Sequence, residues 1–93
     1  MRAHLLGVRG SVPTPGLPFV RYGGNTSCLA LAHPGRAPTL VLDAGTGIQS
    51  LTTVLGDHPF DGTILLSHLH WDHVEGLPFC AAVDRQDARS DLY

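Results

Sequence analysis

Four side chains of metal-binding type lie within six consecutive positions of this chain: His68, His70, Asp72 and His73. Chance would produce this pattern on the order of 0.002 times in a chain of this length and composition. In a strand, side chains at i and i+2 point to the same side, so His68 and His70 can face one cation. If the backbone then turns, Asp72 and His73 can face a second position nearby.

Imidazole nitrogens and a carboxylate oxygen suit Zn²⁺ at about 2.0–2.2 Å, and Mn²⁺ or Fe would accept the same donors. No cysteine joins the cluster, which is more typical of catalytic than of structural zinc. Two cations roughly 3.5–4 Å apart would hold a bridging hydroxide and clamp the oxygens of a displacement, as in phosphate ester hydrolysis. The competing interpretation is four polar residues on a surface loop, but histidines clustered after an apolar strand have no packing reason to be there.

The composition describes one small globular domain over residues 1–93, with 43% hydrophobic residues and a net charge of −2. All six basic residues are scattered arginines, so there is no basic stripe of the kind that binds nucleic acid. No apolar run approaches the roughly 18 residues of a membrane span, and the N-terminus lacks the features of a signal peptide. We therefore expect a cytoplasmic protein with no membrane partner. The two cysteines, Cys28 and Cys80, are expected to pack as small hydrophobic residues.

Apolar patterning predicts an α/β fold. The helix carries an apolar stripe at i, i+3, i+4 and i+7 and is ended by Gly56. The fourth strand is a continuous apolar run, which indicates burial on both faces, and it leads directly to the histidines. Residues 84–90 are expected to be polar and solvent-facing. The predicted strands are 3–8, 27–32, 39–42 and 63–66, the predicted helix is 47–55, and turns or loops cover 11–24, 33–35 and 57–62.

The ligand cluster resembles the metallo-β-lactamase superfamily, whose signature is His-x-His-x-Asp-His after a strand. Further segments, in the same order along the chain, look like the branch that holds phosphodiesterases and tRNase Z-type endonucleases. They are RGSVP at 9–13, YGGNTSC at 22–28, LDAGTG at 42–47 and residues 71–79. The resemblance implies the N-terminal half of a four-layered αββα sandwich. Family domains are longer, so the chain is expected to be a partial domain that lacks the later ligands.

The same resemblance implies that His68 and His70 bind a first metal and that Asp72 and His73 bind a second. Asp72 would be catalytic as well as a ligand. Asp43 would support the site without binding metal, because a carboxylate that accepts the free N–H of a ligating histidine fixes the orientation of the ring. The alternative for Asp43 is a turn aspartate bonded to the backbone of Gly45 or Thr46. We further expect Trp71 to pack over the cluster and shield it; the alternative is that its ring stacks on the substrate.

The expected function is a metal-dependent hydrolase, phosphodiesterase-like, that uses a metal-bound hydroxide and two divalent ions, Zn²⁺ above all. Its substrate would be a small-molecule or nucleotide phosphodiester, and no residue is assigned to substrate binding. The alternative is a non-catalytic metal-binding or interaction module. In that case the open sheet edge of the half-fold would pair with a partner chain or with another copy in a homo-oligomer.

Overall fold

A five-stranded mixed β-sheet organises the computed structural model, which describes residues 1–93. The spatial order of the strands equals their order in the chain. Strands 1, 2 and 3 are antiparallel neighbours, whereas strands 3, 4 and 5 are parallel neighbours. The predicted α/β class is confirmed. The strands are β1 (Arg2–Gly7), β2 (Cys28–Ala32), β3 (Leu40–Leu42), β4 (Asp61–Leu65) and β5 (Arg89–Leu92).

The connection from β3 to β4 contains the helix, as a crossover between parallel strands requires. A 3₁₀ helix, Thr46–Ser50, runs directly into helix α1, Leu51–Leu55. Gly56 follows with a φ of 65°, a conformation that glycine adopts without steric cost and that ends the helix. The predicted helix over 47–55 and its glycine stop are confirmed. No helix of this protein has both the length and the apolar character that crossing a membrane requires.

The core lies between the helix and one face of the sheet. The strand residues on this face are mostly small, so the helix approaches the sheet closely, and Phe60 fills the end of the layer with no exposed surface. Both cysteines are free and buried in this core, as predicted. The buried cluster consists of Cys28, Ala30, Val41, Ala44, Ile48, Leu51, Leu55, Phe60, Ile64, Cys80 and Ala82.

The other face of the sheet carries the larger side chains. Strand register aligns them in two rows, and none of the leucines in these rows is buried. Leu5 is 73% exposed and Leu65 is 39% exposed. The prediction that the fourth strand is buried on both faces is therefore wrong, because in β4 only Ile64 points into the core. We call this surface the leucine face: Leu5, Leu29, Leu31, Leu40, Leu42 and Leu65.

Strand β5 was not predicted. Residues 84–90 are indeed polar and mostly exposed, but Arg89–Leu92 pairs with β4 through the backbone alone. The Arg89 N–H donates to the Phe60 carbonyl at 2.9 Å, and Leu66 donates to Tyr93 at 2.7 Å. Strand β4 also begins inside the predicted turn, at Asp61. An edge strand whose side chains face solvent leaves no apolar alternation from which to predict it.

Candidate metal centre

The ends of two parallel strands create the site. Asp43 follows β3 and Ser67 follows β4, and because these strands are parallel their carboxyl ends lie at one edge of the sheet. Crevices beyond the carboxyl ends of the strands are where open α/β sheets usually bind ligands. The motif that begins at His68 therefore starts beside Asp43.

Asp43 holds both sides of this crevice together. Its Oδ1 accepts the Ser67 backbone N–H at 2.7 Å, and its Oδ2 accepts the Ser67 hydroxyl at 2.9 Å and lies 2.8 Å from Nδ1 of His73. Burial by itself would raise the pKa of Asp43, but these hydrogen bonds and the nearby imidazole hold the pKa below its usual value. None of the hydrogen bonds of this carboxylate goes to Gly45 or Thr46, so the turn-aspartate alternative is wrong.

The backbone of Asp43 has a φ of 61°, in the left-handed region. Aspartate tolerates this region better than most residues but still at a cost. Its amide donates to Leu65 at 2.8 Å, so the residue is anchored on both the backbone and the side chain. The conformation is held by the contacts that direct the carboxylate toward His73.

His73 is oriented for binding through Nε2. An ionised carboxylate only accepts hydrogen bonds, so the contact with Asp43 places the proton of His73 on Nδ1 and leaves a lone pair on Nε2. That Nε2 lies 3.2 Å from Oδ2 of Asp72. Two acceptor atoms this close repel each other unless a cation or a proton lies between them. The pair can therefore offer two donor atoms to one cation.

His68 is oriented in the same way through Ser67. The Ser67 hydroxyl donates to Asp43, so it can accept from Nδ1 of His68, which lies 2.9 Å away. This leaves Nε2 of His68 free. The sequence analysis did not predict a role for Ser67. A hydroxyl residue directly between the apolar strand and the first histidine was the feature that could have indicated one.

Three of the four predicted ligands converge. One donor atom from each of His68, Asp72 and His73 lies within 4.8 Å of the others. Donors bound tetrahedrally at about 2.1 Å are about 3.4 Å apart, which the Asp72–His73 pair at 3.2 Å already matches. The donor set of two imidazoles and one carboxylate fits a divalent cation of the zinc type.

His70 is the fourth predicted ligand, and it is not part of this group of three. Its ring nevertheless lies beside the group, with its centroid 4.6 Å from that of His68 and the ring planes at 76°. By comparison, the rings of His68 and His73 are 4.0 Å apart. His70 is thus exposed at the margin of the site, next to only one of the other ligands.

Backbone contacts fix the ligand segment against the loop after β3. Ala44 donates to the His73 carbonyl at 2.7 Å, and Gly76 donates back to the Ala44 carbonyl at 2.9 Å. The approach is so close that a Cβ on Gly45 would lie 2.3 Å from the Asp72 carbonyl oxygen. The segment from Asp72 to Gly76 is therefore packed backbone against backbone.

The long loop after β1 also reaches the site. The Ser11 N–H donates to Oδ2 of Asp72 at 3.2 Å. Thr26, in the same loop, is bonded twice to Thr46. The Thr26 backbone N–H donates to the Thr46 hydroxyl at 2.9 Å, and the Thr46 backbone N–H donates to the Thr26 hydroxyl at 2.8 Å. These contacts bring residues 9–13 beside the cluster without making them ligands.

Trp71 does not shield the cluster. Its side chain is 80% exposed, and the neighbouring Leu69 is 78% exposed. The prediction that the indole packs over the histidines is wrong, because the 3₁₀ turn Trp71–His73 directs Asp72 and His73 toward Asp43 and leaves Trp71 pointing to solvent.

In comparisons with known proteins, no family model, curated protein or solved structure matches the chain.

Proposed function

We propose that this chain is a metal-dependent hydrolase of phosphodiesters, and that its resemblance to the metallo-β-lactamase superfamily reflects a shared site. The observation that carries the proposal is the pair of restrained imidazoles. Asp43 contacts His73 directly at 2.8 Å and His68 through Ser67, so Nε2 of His73 faces Asp72 and the His68 ring lies in the same group of donors. Polar residues on a surface loop without a ligand would not require a buried carboxylate to fix the orientation of their imidazole rings.

In the proposed site, His68, Asp72 and His73 would hold one divalent cation, and His70 would be an additional donor for a second. Such a cation would supply Lewis-acid chemistry, by which a phosphoryl oxygen is polarised and the pKa of a water molecule is lowered to near neutrality. Oδ1 of Asp72 has no hydrogen bond within the chain, whereas Oδ2 is already engaged by Ser11. We assign Oδ1 as the acceptor for the water proton while the water adds to phosphorus and the ester oxygen leaves.

Hydrolysis of bis(p-nitrophenyl) phosphate tests this function. The chain purified with Zn²⁺ or Mn²⁺ should release p-nitrophenolate, and chelation of the metal should stop the reaction. Asp72→Asn should lose the activity, whereas Asp84→Asn, an exposed aspartate outside the site, should keep it. Absence of turnover with Zn²⁺, Mn²⁺ and Fe²⁺ alike would contradict the proposal.

The leucine face supports a second candidate function, that of an interaction module. We infer that a second copy of the chain covers this face, so that two sheets and two helical layers form an αββα arrangement. Five strands about 4.8 Å apart and about 16 Å long give a face of roughly 300 Å² in projection. Two such faces cover roughly 600 Å² in projection, below the roughly 1,000 Å² of a stable specific interface, so the dimer through this face would be weak and dependent on concentration.

The oligomeric state tests the second candidate. Light scattering after size exclusion should give the mass of a dimer, and Leu5→Glu should convert it to a monomer because Leu5 is the most exposed residue of the leucine face. Leu17→Glu is the matched control, since Leu17 is 86% exposed but lies in the loop after β1. A wild-type monomer at all concentrations would contradict this candidate.

A further inference from the structure

The loop after β1 forms a concave pocket that the proposed chemistry does not use. The cavity measures about 260 Å³. Two arginines and two aromatic residues provide most of its chemical character: Arg9, Phe19, Arg21 and Tyr22. We call this cavity the arginine pocket.

The arginine pocket is positively charged and contains no compensating carboxylate. No acidic residue lines it, and neither Arg9 nor Arg21 takes part in any ion pair of the chain. This contrasts with Arg85, which forms a two-pronged contact with Asp87 at 2.8 Å. Two unpaired guanidinium groups in one concavity are suited to a phosphate, which arginine binds through paired N–H donors.

Each guanidinium in the pocket is supported by an aromatic ring. The Arg9 guanidinium carbon lies 4.7 Å above the Phe19 ring, and that of Arg21 lies 5.4 Å from the Tyr22 ring. The guanidinium N–H groups of Arg9 and Arg21 make no hydrogen bond within the chain, so they remain available to a ligand. Tyr22 is itself 74% exposed, so a planar group can stack on it. Stacking on an exposed ring beside arginines is how many proteins hold a nucleotide base and its phosphate.

The pocket is close to the candidate metal centre. The backbone N–H of Arg9 donates to the Asn25 carbonyl at 2.9 Å. Two positions further along the chain, the backbone N–H of Ser11 donates to Oδ2 of Asp72 at 3.2 Å. Residues two apart have Cα atoms within about 7 Å. A ligand in the arginine pocket therefore lies within one or two nucleotide lengths of the proposed reacting phosphate.

From these observations we propose that the arginine pocket binds a nucleotide unit of the substrate, with the phosphate on Arg9 and Arg21 and the base on Tyr22. The volume, just below the roughly 300 Å³ at which small-molecule pockets begin, suits one nucleotide and not a larger ligand. The position next to the metal centre rests on the proposed function. The binding itself does not, because it needs neither metal nor turnover.

Calorimetric titration with adenosine 5′-monophosphate in the presence of EDTA tests the pocket. Wild type should bind the nucleotide more tightly than inorganic phosphate or adenosine, since only the nucleotide engages both the arginines and the ring. Arg9→Gln and Arg21→Gln should each weaken the nucleotide by about tenfold or more. Tyr22→Leu should weaken binding of the nucleotide more than binding of phosphate, because it removes the stacking surface for the base. Arg36→Gln, the same charge change in the exposed turn after β2, is the control and should bind like wild type.

Three results would overturn the assignment: no saturable binding of the nucleotide, binding of phosphate as tight as that of the nucleotide, or binding that Arg21→Gln leaves intact. Circular dichroism of each variant verifies that the fold is retained. The two proposals fail separately. Nucleotide binding without hydrolysis of bis(p-nitrophenyl) phosphate would support the nucleotide site and refute the proposed hydrolase function. Hydrolysis without nucleotide binding would support the hydrolase function and refute the nucleotide site.

Discussion

Oδ2 of Asp43 lies 2.8 Å from Nδ1 of His73, which connects the end of β3 to the ligand motif that follows β4. The same carboxylate bonds Ser67, and Ser67 contacts His68. One buried aspartate thus orients two imidazoles. The orientation of both rings therefore depends on a residue that lies outside the group of candidate donors.

Replacement of Asp43 by asparagine should weaken metal binding. Loss of the carboxylate removes the fixed acceptor for His73 Nδ1, and such partners typically contribute 10–100-fold to metal affinity. The Zn²⁺ dissociation constant, measured by competition with a chromophoric chelator, should rise by about that factor. Asp61→Asn, at the exposed start of β4, is the control. Equal affinities for the two variants would show that Asp43 does not orient the ligands.

The histidines should contribute unequally to the first cation. His73→Gln removes a donor from the group of three and should lower the affinity for Co²⁺ steeply, whereas His70→Gln should leave the first equivalent bound. Trp71 is the only tryptophan and lies within the motif, so quenching of its fluorescence by Co²⁺ reports binding directly. If His70→Gln were the more damaging change, the first cation would not be held by His68, Asp72 and His73.

The substitution Gly45→Ala, which adds one methyl group, should destabilise the protein. Its Cβ would lie 2.3 Å from both the Asp72 carbonyl oxygen and Oγ1 of Thr26, so the loops must separate. Overpacking of this kind costs about 1–3 kcal/mol in the free energy of unfolding, measurable by urea denaturation. Gly10→Ala is the matched control, since nothing lies within 4 Å of its added Cβ. A Gly45→Ala variant as stable as Gly10→Ala would contradict the close packing.

Stability should fall at alkaline pH because of Cys28. Burial, with the neighbouring Cys80 and Asp43, raises the pKa of the Cys28 thiol from 9.0 to about 12. The folded state keeps the thiol proton more firmly than the unfolded chain, so the stabilisation is complete below about pH 9 and is lost as pH rises toward 12. The slope contributed by Cys28 is about 1.4 kcal/mol per pH unit in this range.

Urea denaturation of wild type and Cys28→Ala between pH 8 and pH 11 isolates this contribution, because the difference between the two curves cancels the other titrating groups. The difference should shrink with rising pH. Val41→Ala is the control for lost core packing and should run parallel to wild type. A Cys28→Ala curve parallel to wild type would mean that the thiol ionises equally in both states.

Local patterns predicted most of the elements and the donor set. The helix spacing from Ile48 to Leu55 and the apolar run before Ser67 depend on neighbours only a few residues away, and the structure places both elements close to where they were predicted. The side-chain types of His68, His70, Asp72 and His73 likewise predicted a metal site, and the structure brings all of them except His70 into one group.

Other features had no local signal. Strand β5 forms through backbone pairing, and a side-chain pattern does not report which backbone an exposed segment meets. The burial of β4 was predicted from its apolar run, but a run of this kind cannot tell a covered sheet face from an open one. The exposure of Trp71 depends on the direction of a single 3₁₀ turn.

The sequence by itself determined which residues can bind a cation and which segments are strand or helix, because side-chain chemistry and short periodicities are properties of the chain alone. Only the tertiary structure decided that Asp43 and Ser67 orient His68 and His73, that Arg9 and Arg21 line one pocket, and that the leucines lie on an uncovered face. These are relationships between segments distant in the chain, and they exist only once parallel pairing of β3 with β4 and the register of the sheet bring those segments to one edge.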